Sequence, residues 1–486
     1  MKGDFTRDTY NPLKHFSRVL MQQGRVQLDA DWNEQGAILL HYLRALAADL
    51  IGPFGGTEHA FEIFNVIRDK PPPPTVKAGE LLLNKEEISR LTDAGVLKEN
   101  KVPEGDFLIG TGHYYVDGLL CENENYVRYA GQADLPATEV MKADSYLVYL
   151  DVWERHITYL EDENFHDLAG ESFPGIREVA LGGPDTATRA KLVWQVKTWA
   201  SKGASDKPPT KLESKLVNDN WKDWVNRFES ENRGRLKAKV TRPDGPDAGN
   251  ACLTSPDARY RGADNELYRV EIHQGGNGKA GVPTFKWSRE NGSVVFPILQ
   301  LNNDTIKLAH FGRDSRLGLK VGDWVEIIND EIILHGDVPP LVQVDSIEAI
   351  DMVIRIKVPA SLKALPFKKK EDKTLLLRRW DHKGDIKKDG AVALVEDGGD
   401  KNWLMLEHGV QIQFQEGADY RTGDYWLIPA RTATGDIEWP KDKDSNPLSQ
   451  APHGVTHHYA PLAVSSIVGG NPKIDDCRTK IKPSLI

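Results

Sequence analysis

Cysteine is scarce in this 486-residue chain, which contains only three. Cys121, Cys252 and Cys477 are more than 100 residues apart from one another. Such spacing fits neither a disulfide framework nor a clustered metal site. We therefore expect the chain to fold in a reducing cytoplasm.

Long apolar runs are also missing. A membrane-spanning helix needs about 18 apolar residues in succession, whereas the longest runs here are short stretches such as residues 37–40. We therefore expect no insertion into a membrane. The first five residues carry no apolar segment, so we also expect no cleaved secretory signal.

Positive charge is in deficit. The chain has 62 Lys and Arg against 72 Asp and Glu, which gives a formal net charge of −10. Its basic residues form no long run beyond residues 368–370. This balance argues against nucleic acid or an anionic membrane as the main partner.

Methionine is rare, whereas aromatic and turn-forming residues are abundant. The chain has 5 Met beside 12 Trp, 14 Tyr, 14 Phe, 42 Gly and 28 Pro. This mixture favours strands and turns over helical bundles. We therefore predict a mainly β fold, with several small β-sandwich or barrel domains, an N-terminal arm and helix, and minor helical insertions.

The strongest helical pattern lies near the N-terminus. Asp31 and Glu34 have the spacing of an N-cap and its capping-box partner, and Gly52 followed by Pro53 predicts the end of the helix. The apolar residues at helical spacing between these limits are Ile38, Leu39, Tyr42, Leu43, Leu46 and Leu50. Because helical stability comes mostly from packing of such a stripe, we expect it to pack against its own domain.

Two shorter helices are predicted, at residues 85–94 after an Asn84 cap and at residues 211–228. The second has an apolar stripe of Leu212, Leu216, Trp221, Trp224, Val225 and Phe228. The main predicted strands are residues 146–153, 192–199, 267–273, 293–299, 323–328, 352–358 and 425–428. Three strands begin with the same Gly-Asp-aromatic sequence, at Gly105, Gly322 and Gly423, which we interpret as hairpin turn chemistry.

Length and linkers predict the domain organisation. At about 100 to 200 residues per domain, the chain should form two to four domains. The predicted units are an N-terminal arm and helix (1–60) that anchors assembly, a small β domain with a short helix (61–135), a β domain with a helical insertion near 211–235 (136–310), and one or more C-terminal β-barrel or sandwich domains (311–486). The linkers and surface loops are residues 70–74, 201–210, 366–373 and 440–452.

No motif defines a catalytic site. The nearest pattern to a phosphate-binding loop is residues 275–280, but the spacing between glycines is wrong and Ala280 replaces the Ser or Thr that would hold magnesium. We interpret this segment as a hairpin loop. The common Ser-nucleophile, zinc-protease and dinucleotide-binding motifs do not occur, so we predict no catalytic activity, no cofactor and no metal.

The histidine cluster has two interpretations. His453, His457 and His458 lie between Pro452 and Pro461, in a segment expected to be extended. We interpret them as loop histidines bonded to the backbone, and a metal site is the alternative.

Acidic pairs and tryptophans also allow a functional alternative. Glu161 with Glu163 and Asp475 with Asp476 are typical of solvated loops, although paired carboxylates also serve glycosidases. The tryptophans are expected mostly in cores, although exposed ones could stack on sugars.

The most specific segment is residues 4–35, which reads DFTRDTYNP, then HFSRVLMQQGRVQLDADWNEQ. It resembles the opening of a family of uncharacterised proteins encoded in phage-tail-like and contractile injection system gene clusters. It is also similar, more loosely, to the start of some phage tail-fibre and baseplate proteins. The resemblance continues in residues 153–155, 176–189, 267–273 and 285–292 and, more weakly, 423–431.

This resemblance implies a structural subunit of a phage-tail-like contractile injection system, at the baseplate or attached to it. Its expected partners are other tail or baseplate subunits and further copies of itself, with contact to a cell surface as a further expectation. Assembly would take place in the bacterial cytoplasm, in a particle that is released or attached to a membrane. The alternatives are a tail-fibre-type receptor or carbohydrate-binding protein and a cell-wall hydrolase.

The N-terminal segment also has the composition of an interface, because Arg and aromatic residues are enriched at interface anchors. The candidate interface residues are Phe5, Arg7, Tyr10, Phe16, Arg18, Leu20, Met21, Arg25 and Trp32. We predict that this arm docks into a neighbouring subunit. The alternative is that it wraps its own β domain.

Overall fold

A computed structural model gives the fold, which is mainly β with several sheets and few helices. The structure describes residues 1–69, 77–135, 145–162, 174–181, 185–199, 214–228, 232–241, 259–276, 282–360, 362, 365, 367, 375–385, 388–397, 403–468 and 471–481. The predicted linkers 70–74 and 201–210, loop residues 277–280, Cys252 and most of residues 366–373 lie outside these ranges. So do Glu163 and residues 211–213.

The α-helices of the described chain are α1 Asp29–Ile51, α2 Lys85–Asp93, α3 Tyr159–Asp162, α4 Ser214–Asp219, α5 Trp221–Phe228 and α6 Asp330–His335. Short 3-10 helices form at Pro12–Lys14, Tyr129–Gly131 and Val179–Leu181.

The first fourteen strands are β1 Phe54–Gly56, β2 Ile63–Phe64, β3 Val66–Asp69, β4 Glu80–Leu83, β5 Leu108–Ile109, β6 Gly112–Val116, β7 Leu119–Asn123, β8 Val127–Arg128, β9 Ser145–Ile157, β10 Arg189–Trp199, β11 Leu236–Val240, β12 Glu266–Gln274, β13 Thr284–Ser288 and β14 Val295–Asn302. The remaining strands are β15 Thr305–Leu308, β16 Trp324–Ile328, β17 Leu341–Glu348, β18 Val353–Lys357, β19 Leu376–Trp380, β20 Val392–Ala393, β21 Glu396–Asp397, β22 Leu404–Met405, β23 Val410–Gln415, β24 Tyr425–Arg431, β25 Asp436–Ile437, β26 His458–Val468 and β27 Asn471–Asp476.

The first core forms around a four-stranded sheet in the order β10-β9-β26-β27, which we call the core sheet. Residues 147–153 of β9 are all buried, as expected for a central strand covered on both faces. The small sheets β1-β6-β7 and β2-β5-β8 and the helix α5 contribute to the same core. Because β26 pairs with β9, the end of the chain completes a core that begins near residue 54.

A sandwich forms the second core. One sheet has the order β20-β13-β12-β24-β25, and the other places β23 between β11 and β21, with β22 also paired to β23. Phe285 and Phe414 meet across the two sheets with ring centroids 5.0 Å apart. The sandwich therefore combines strands from before residue 290 with strands from after residue 390.

In the sequence, the segment between these two groups of sandwich strands forms a closed barrel, in the strand order β14-β15-β18-β17-β16-β19. Its core contains Phe296, Ile306, Val325, Ile354 and Leu377, all of which are nearly inaccessible to solvent. Closure leaves no free edge strand, because β14 pairs with β19.

The strand predictions are confirmed, since each predicted segment overlaps an observed strand. The Gly-Asp-aromatic sequences also act as turns. Gly105, Gly322 and Gly423 have φ of 78°, 92° and 85°, a left-handed conformation that glycine adopts without strain. The helix after Asn84 is confirmed as α2, with a capping box in which Asn84 and Glu87 bond to each other's backbone nitrogens.

The sheets do not follow the predicted units of consecutive sequence. The predicted boundary at 310/311 falls inside the barrel, between β15 and β16. The core sheet likewise joins β9 to β26, which were placed in different units. Local patterns identify strands, whereas these pairings depend on residues some 300 positions apart.

Two details predicted for the N-terminal helix are wrong. The helix begins at Asp29 rather than after Asp31, and Leu28 occupies the N-cap position without a side-chain cap. The apolar stripe does not pack against its own domain, because only Ile38 among the six predicted residues is buried. The predicted stop at Gly52 is confirmed, with φ of 93° at this residue.

Candidate functional site

The first ten residues are held on the rest of the chain by polar contacts. Lys2 Nζ lies 3.0 Å from Glu271 Oε1. Arg7 Nη1 donates to Glu438 Oε1 at 2.8 Å, and the backbone oxygen of Thr6 accepts from Arg431 at 2.8 Å. The arm therefore begins as a strap across the sandwich.

The arm then runs beside α1. Thr6 contacts Asp29 through its backbone nitrogen at 2.8 Å, and the hydroxyl of Thr9 donates to Glu34 at 2.6 Å. Further along, the backbone nitrogen of Val19 donates to Gln35 Oε1 at 2.8 Å. These bonds place the arm and the helix in one continuous surface.

One face of α1 packs against the protein. Ala30 and Ile38 are buried, and Arg44 Nη2 donates to Glu154 Oε1 at 2.7 Å. A Cβ at Gly118 would lie 2.2 Å from the backbone oxygen of Arg44, so the hairpin between β6 and β7 can approach the helix only with glycine there. Small side chains and close backbone contact thus fix this face.

The opposite face of α1 and the following part of the arm expose apolar side chains. We call this set the arm–helix surface: Leu13, Phe16, Leu20, Met21, Val26, Leu28, Trp32, Leu39, Leu40, Tyr42, Leu43, Leu46 and Leu50, each 44% exposed or more. At roughly 60 Å² for each such side chain, the surface presents on the order of 800 Å². The largest apolar patch of a typical monomer is about 300 to 600 Å².

The predicted interface residues divide into two groups. Phe16, Arg18, Leu20, Met21, Arg25 and Trp32 are exposed on the arm and the start of α1. Phe5, Arg7 and Tyr10 lie in the strap, where Phe5 contacts His156 with ring centroids 6.0 Å apart. The alternative that the arm wraps its own domain therefore describes the first ten residues, and docking to a neighbour stays a prediction for the others.

A second polar site lies where the sandwich contacts the barrel, and we call it the junction cluster: Lys2, Arg269, Glu271, Lys286, Glu326 and Arg378. Burial acts to raise the pKa of Glu271, but Lys2, Arg269 and Lys286 outweigh it and hold that pKa well below its ordinary value. Burial lowers the pKa of Lys2 to about 8, against the attraction of Glu271 and Glu326.

Within the junction cluster, Lys286 links the sandwich to the barrel. Its Nζ is 3.4 Å from Glu271 on β12 and forms an ion pair with Glu326 on barrel strand β16. The sequence interpretation did not identify this cluster. The available signal was a charged residue in the middle of an apolar strand, as at Glu326 in Trp-Val-Glu-Ile-Ile.

A cavity of about 250 Å³ lies beside the strap. Residues 3–6, Glu266, Glu290 and Arg431 are among its lining residues. Arg316 is 2.8 Å from Glu290 and 3.8 Å from Glu266. Burial raises the pKa of Glu290, whereas Arg316 acts to lower it. Two of the carboxylates that line the cavity, those of Glu266 and Glu290, thus share one arginine.

The clustered histidines have separate partners. His457 Nδ1 is 2.6 Å from Asp151, and His458 Nδ1 is 2.9 Å from Asp117. His453 stacks on Tyr425 with ring centroids 5.6 Å apart. The interpretation that the histidine side chains bond to the backbone is therefore wrong for His457 and His458. In the part of the chain that the structure describes, no group of three or more His, Cys, Asp or Glu is arranged to hold a metal ion.

The other acidic and aromatic candidates are mostly structural. Glu161 bonds to Thr158 and Arg155, while Asp475 and Asp476 pair with Lys473 and Arg478. Eight of the twelve tryptophans are buried: Trp153, Trp221, Trp224, Trp287, Trp324, Trp380, Trp426 and Trp439. This confirms the expectation that most tryptophans lie in cores. Trp32 differs, because 63% of it is exposed.

The fold and this surface define a mainly β, multi-sheet protein whose N-terminal arm and helix display an apolar face. The chain matches DUF6519, a family of unknown function, over residues 1–220 and 198–483, and it belongs to that family. No curated protein and no solved structure matches it. Among the helices in the described ranges, none has the length and apolar character needed to cross a membrane.

Proposed function

We propose that this chain is a structural, non-catalytic subunit of a phage-tail-like contractile injection system, located at the baseplate or attached to it. The observation that carries a role in assembly is the arm–helix surface, whose apolar side chains lie in water in the single chain. The choice of a contractile injection system as the assembly rests on the resemblance of residues 4–35 to proteins encoded in such gene clusters.

The arm–helix surface suits a subunit that is held by its neighbours. The strap residues fix the arm at one end, and Arg44 with its partner Glu154 fixes the far half of α1. The apolar face is thereby presented on a supported element rather than on a free tail. A neighbour could bury it with little further ordering of this chain, which lowers the entropic cost of association.

The proposed mechanism is mechanical. A plate of such subunits would hold the tail in a loaded state and rearrange when a trigger changes the balance between two arrangements. Such a change requires contacts that differ in free energy between the two states. Loss of an apolar contact at the arm–helix surface would provide such a difference.

The test is to delete the gene, purify the particles and image their baseplates. We expect absent or incomplete baseplates, restored by the wild-type gene and by Ile350→Asp, which changes a side chain that is 97% exposed in the turn between β17 and β18. Leu39→Asp should fail to restore them. Complete baseplates in the deletion strain would overturn the proposal.

One observation supports a second candidate function, that of a cell-wall hydrolase. The cavity contains Glu266 and Glu290, and the raised pKa of Glu290 is the direction that a general acid requires. The cavity of about 250 Å³ is nevertheless below the range of about 300 to 1,000 Å³ typical of ligand pockets. Release of fragments from peptidoglycan by the wild type, and its loss in Glu290→Gln, would favour the hydrolase.

The burial of most tryptophans argues against a receptor that binds sugars through an aromatic platform. A glycan array tests this remaining alternative. Specific binding that is lost in Trp32→Ala would favour it, because Trp32 is the tryptophan most exposed to solvent.

A further inference from the structure

We propose that α1 pairs with α1 of a second copy of this chain, in a two-helix coiled coil formed by the exposed face. This inference rests on the proposed assembly role and names the partner of the arm–helix surface. Three features of the helix carry it: the spacing of the exposed residues, the charge beside them and the area that they offer.

The exposed residues follow the spacing of a coiled-coil seam. Trp32, Gly36, Leu39, Leu43, Leu46 and Leu50 succeed one another at alternating steps of four and three residues, and all six are exposed. Alternation of this kind is the heptad pattern that places one stripe against a partner helix. The helix has 23 residues, so the stripe lies on a rod about 35 Å long.

Gly36 lies within this stripe without a role in its own chain. A Cβ at this position would have no atom within 4 Å, and no left-handed backbone conformation requires glycine there. Glycine inside a helix is unfavourable relative to alanine. On the exposed face, its missing side chain leaves room for the close approach of another helix.

The charges beside the stripe favour a second copy over a charged partner. The positions that flank a heptad seam are Asn33, Gln35, Leu40, Tyr42, Ala47 and Asp49. Asp49 is the single charge among them, so two copies meet little like-charge repulsion, and no row of charges selects an oppositely charged helix.

Three of the four charged side chains elsewhere on α1 have partners within their own chain. Asp29 bonds to Thr6, Glu34 accepts from Thr9, and Arg44 donates to Glu154. Glu34 and Arg44 lie at heptad positions away from the stripe, whereas Asp29, three residues before Trp32, continues the stripe but is engaged by Thr6. Apolar contact is therefore left as the main means of recognition.

The area is sufficient for a stable pair when the arm takes part. The seven residues of the arm–helix surface that lie on α1 present roughly 420 Å² on each copy, and the six arm residues bring the total to the order of 800 Å². A standard-size protein interface buries about 800 Å² per partner. The exposed arm residues, such as Phe16 and Leu20, would extend the contact beyond the two helices.

The test is the mass of the purified full-length protein in solution, measured by sedimentation at several concentrations. We expect the wild type to form dimers or higher multiples at micromolar concentration. Leu43→Asp should weaken association by about 100-fold or more, because it places a charge at the centre of the stripe. Ile350→Asp is the matched control and should associate as the wild type does.

Circular dichroism must show that the Leu43→Asp chain is folded; if it is not, Leu46→Ala serves as a milder variant and should weaken association about 10-fold or more. A monomeric wild type, or association unchanged in Leu43→Asp and Leu46→Ala, would overturn the helix pairing. A monomer that is still required for baseplates would leave the proposed function intact with a different partner. If the wild type is a dimer but the deletion strain still makes complete baseplates, the proposed function is rejected and the helix pairing stands.

Discussion

Burial affects two ionisable side chains differently in the region where the sandwich contacts the barrel. In the junction cluster, Lys286 is paired with Glu271 and Glu326, so its charge is compensated in the folded state. His382 lies nearby, and burial lowers its pKa to about 4 from an ordinary value of 6.5, outweighing the backbone oxygen of Gly390 and the carboxylates of Asp381 and Glu326, which act to raise it. It is therefore neutral in the folded protein at a pH where the unfolded chain would carry the charge.

This difference predicts a loss of stability in acid. Between pH 4 and 6.5 the unfolded state binds more protons at His382 than the folded state, so stability rises with pH and falls on acidification. At pH 5 the free energy of unfolding should be lower by about 2 kcal/mol than at neutral pH through this residue alone. Denaturant titrations at pH 7 and pH 5 measure this difference in the free energy of unfolding.

His382→Gln should show a smaller loss between these two pH values, since glutamine does not titrate and retains a donor toward the backbone oxygen of Gly390, 2.9 Å from His382 Nε2. His113→Gln is the control, because more than half of the His113 side chain is exposed. Equal pH dependence in the wild type and His382→Gln would contradict the prediction.

The helices show how far the sequence of a single helix predicts its own start, its apolar face and its packing. Asn84 predicts the start of α2, and the structure shows that Glu87 completes a capping box with it, within four residues of the chain. In α1, by contrast, the spacing of the leucines identifies a helix with an apolar face but not what covers that face. Its packed side is made by smaller residues such as Ala30, with Ile38 as the large apolar exception.

Gly36 provides a test at the level of the helix. Gly36→Ala should raise the free energy of unfolding by about 1 kcal/mol, because alanine loses less conformational entropy and the added Cβ meets no atom within 4 Å. The effect is measured by thermal unfolding of the full-length chain, with Gly36→Ala introduced into the Leu43→Asp variant. The double variant is compared with Leu43→Asp at a concentration where both are monomeric.

The matched comparison is Gly118→Ala, which should destabilise the chain. Its Cβ would lie 2.2 Å from the backbone oxygen of Arg44, and φ at this residue is 80°. A Gly36→Ala chain that is less stable than its parent would show that Gly36 is needed in its own fold, contrary to the open space around it.

Across the whole molecule, the order of the chain differs from the order of the cores. The core sheet needs β26 beside β9, and the sandwich needs β24 beside β12. The barrel is complete within residues 295–380, because β14 and β19 close it. The barrel is therefore an insertion whose two ends lie close together.

This nesting predicts which fragments fold. Residues 293–381 alone should give a β-type circular dichroism spectrum and a cooperative thermal transition, since the barrel core is formed by its own strands. The comparison fragment, residues 1–290, lacks β24 and β26 and should be insoluble or unfolded. A 293–381 fragment without a cooperative transition would contradict the prediction.

The amino-acid sequence by itself determined the mainly β class, the positions of the main strands, the α2 cap and the turns at Gly105, Gly322 and Gly423. These features depend on alternation, capping and backbone conformation within a few residues. For the same reason it indicated the arm and α1, but not which of their residues the protein would leave exposed.

Only the tertiary structure decided the rest. It placed β26 beside β9, brought Lys2 to Glu271, and turned Leu39 and Leu43 toward solvent while Ile38 packed inward. These outcomes depend on complementary surfaces that are distant in sequence, and no local pattern records which partner will be present. The arm–helix surface is therefore a product of the fold, although each of its residues is visible in the sequence.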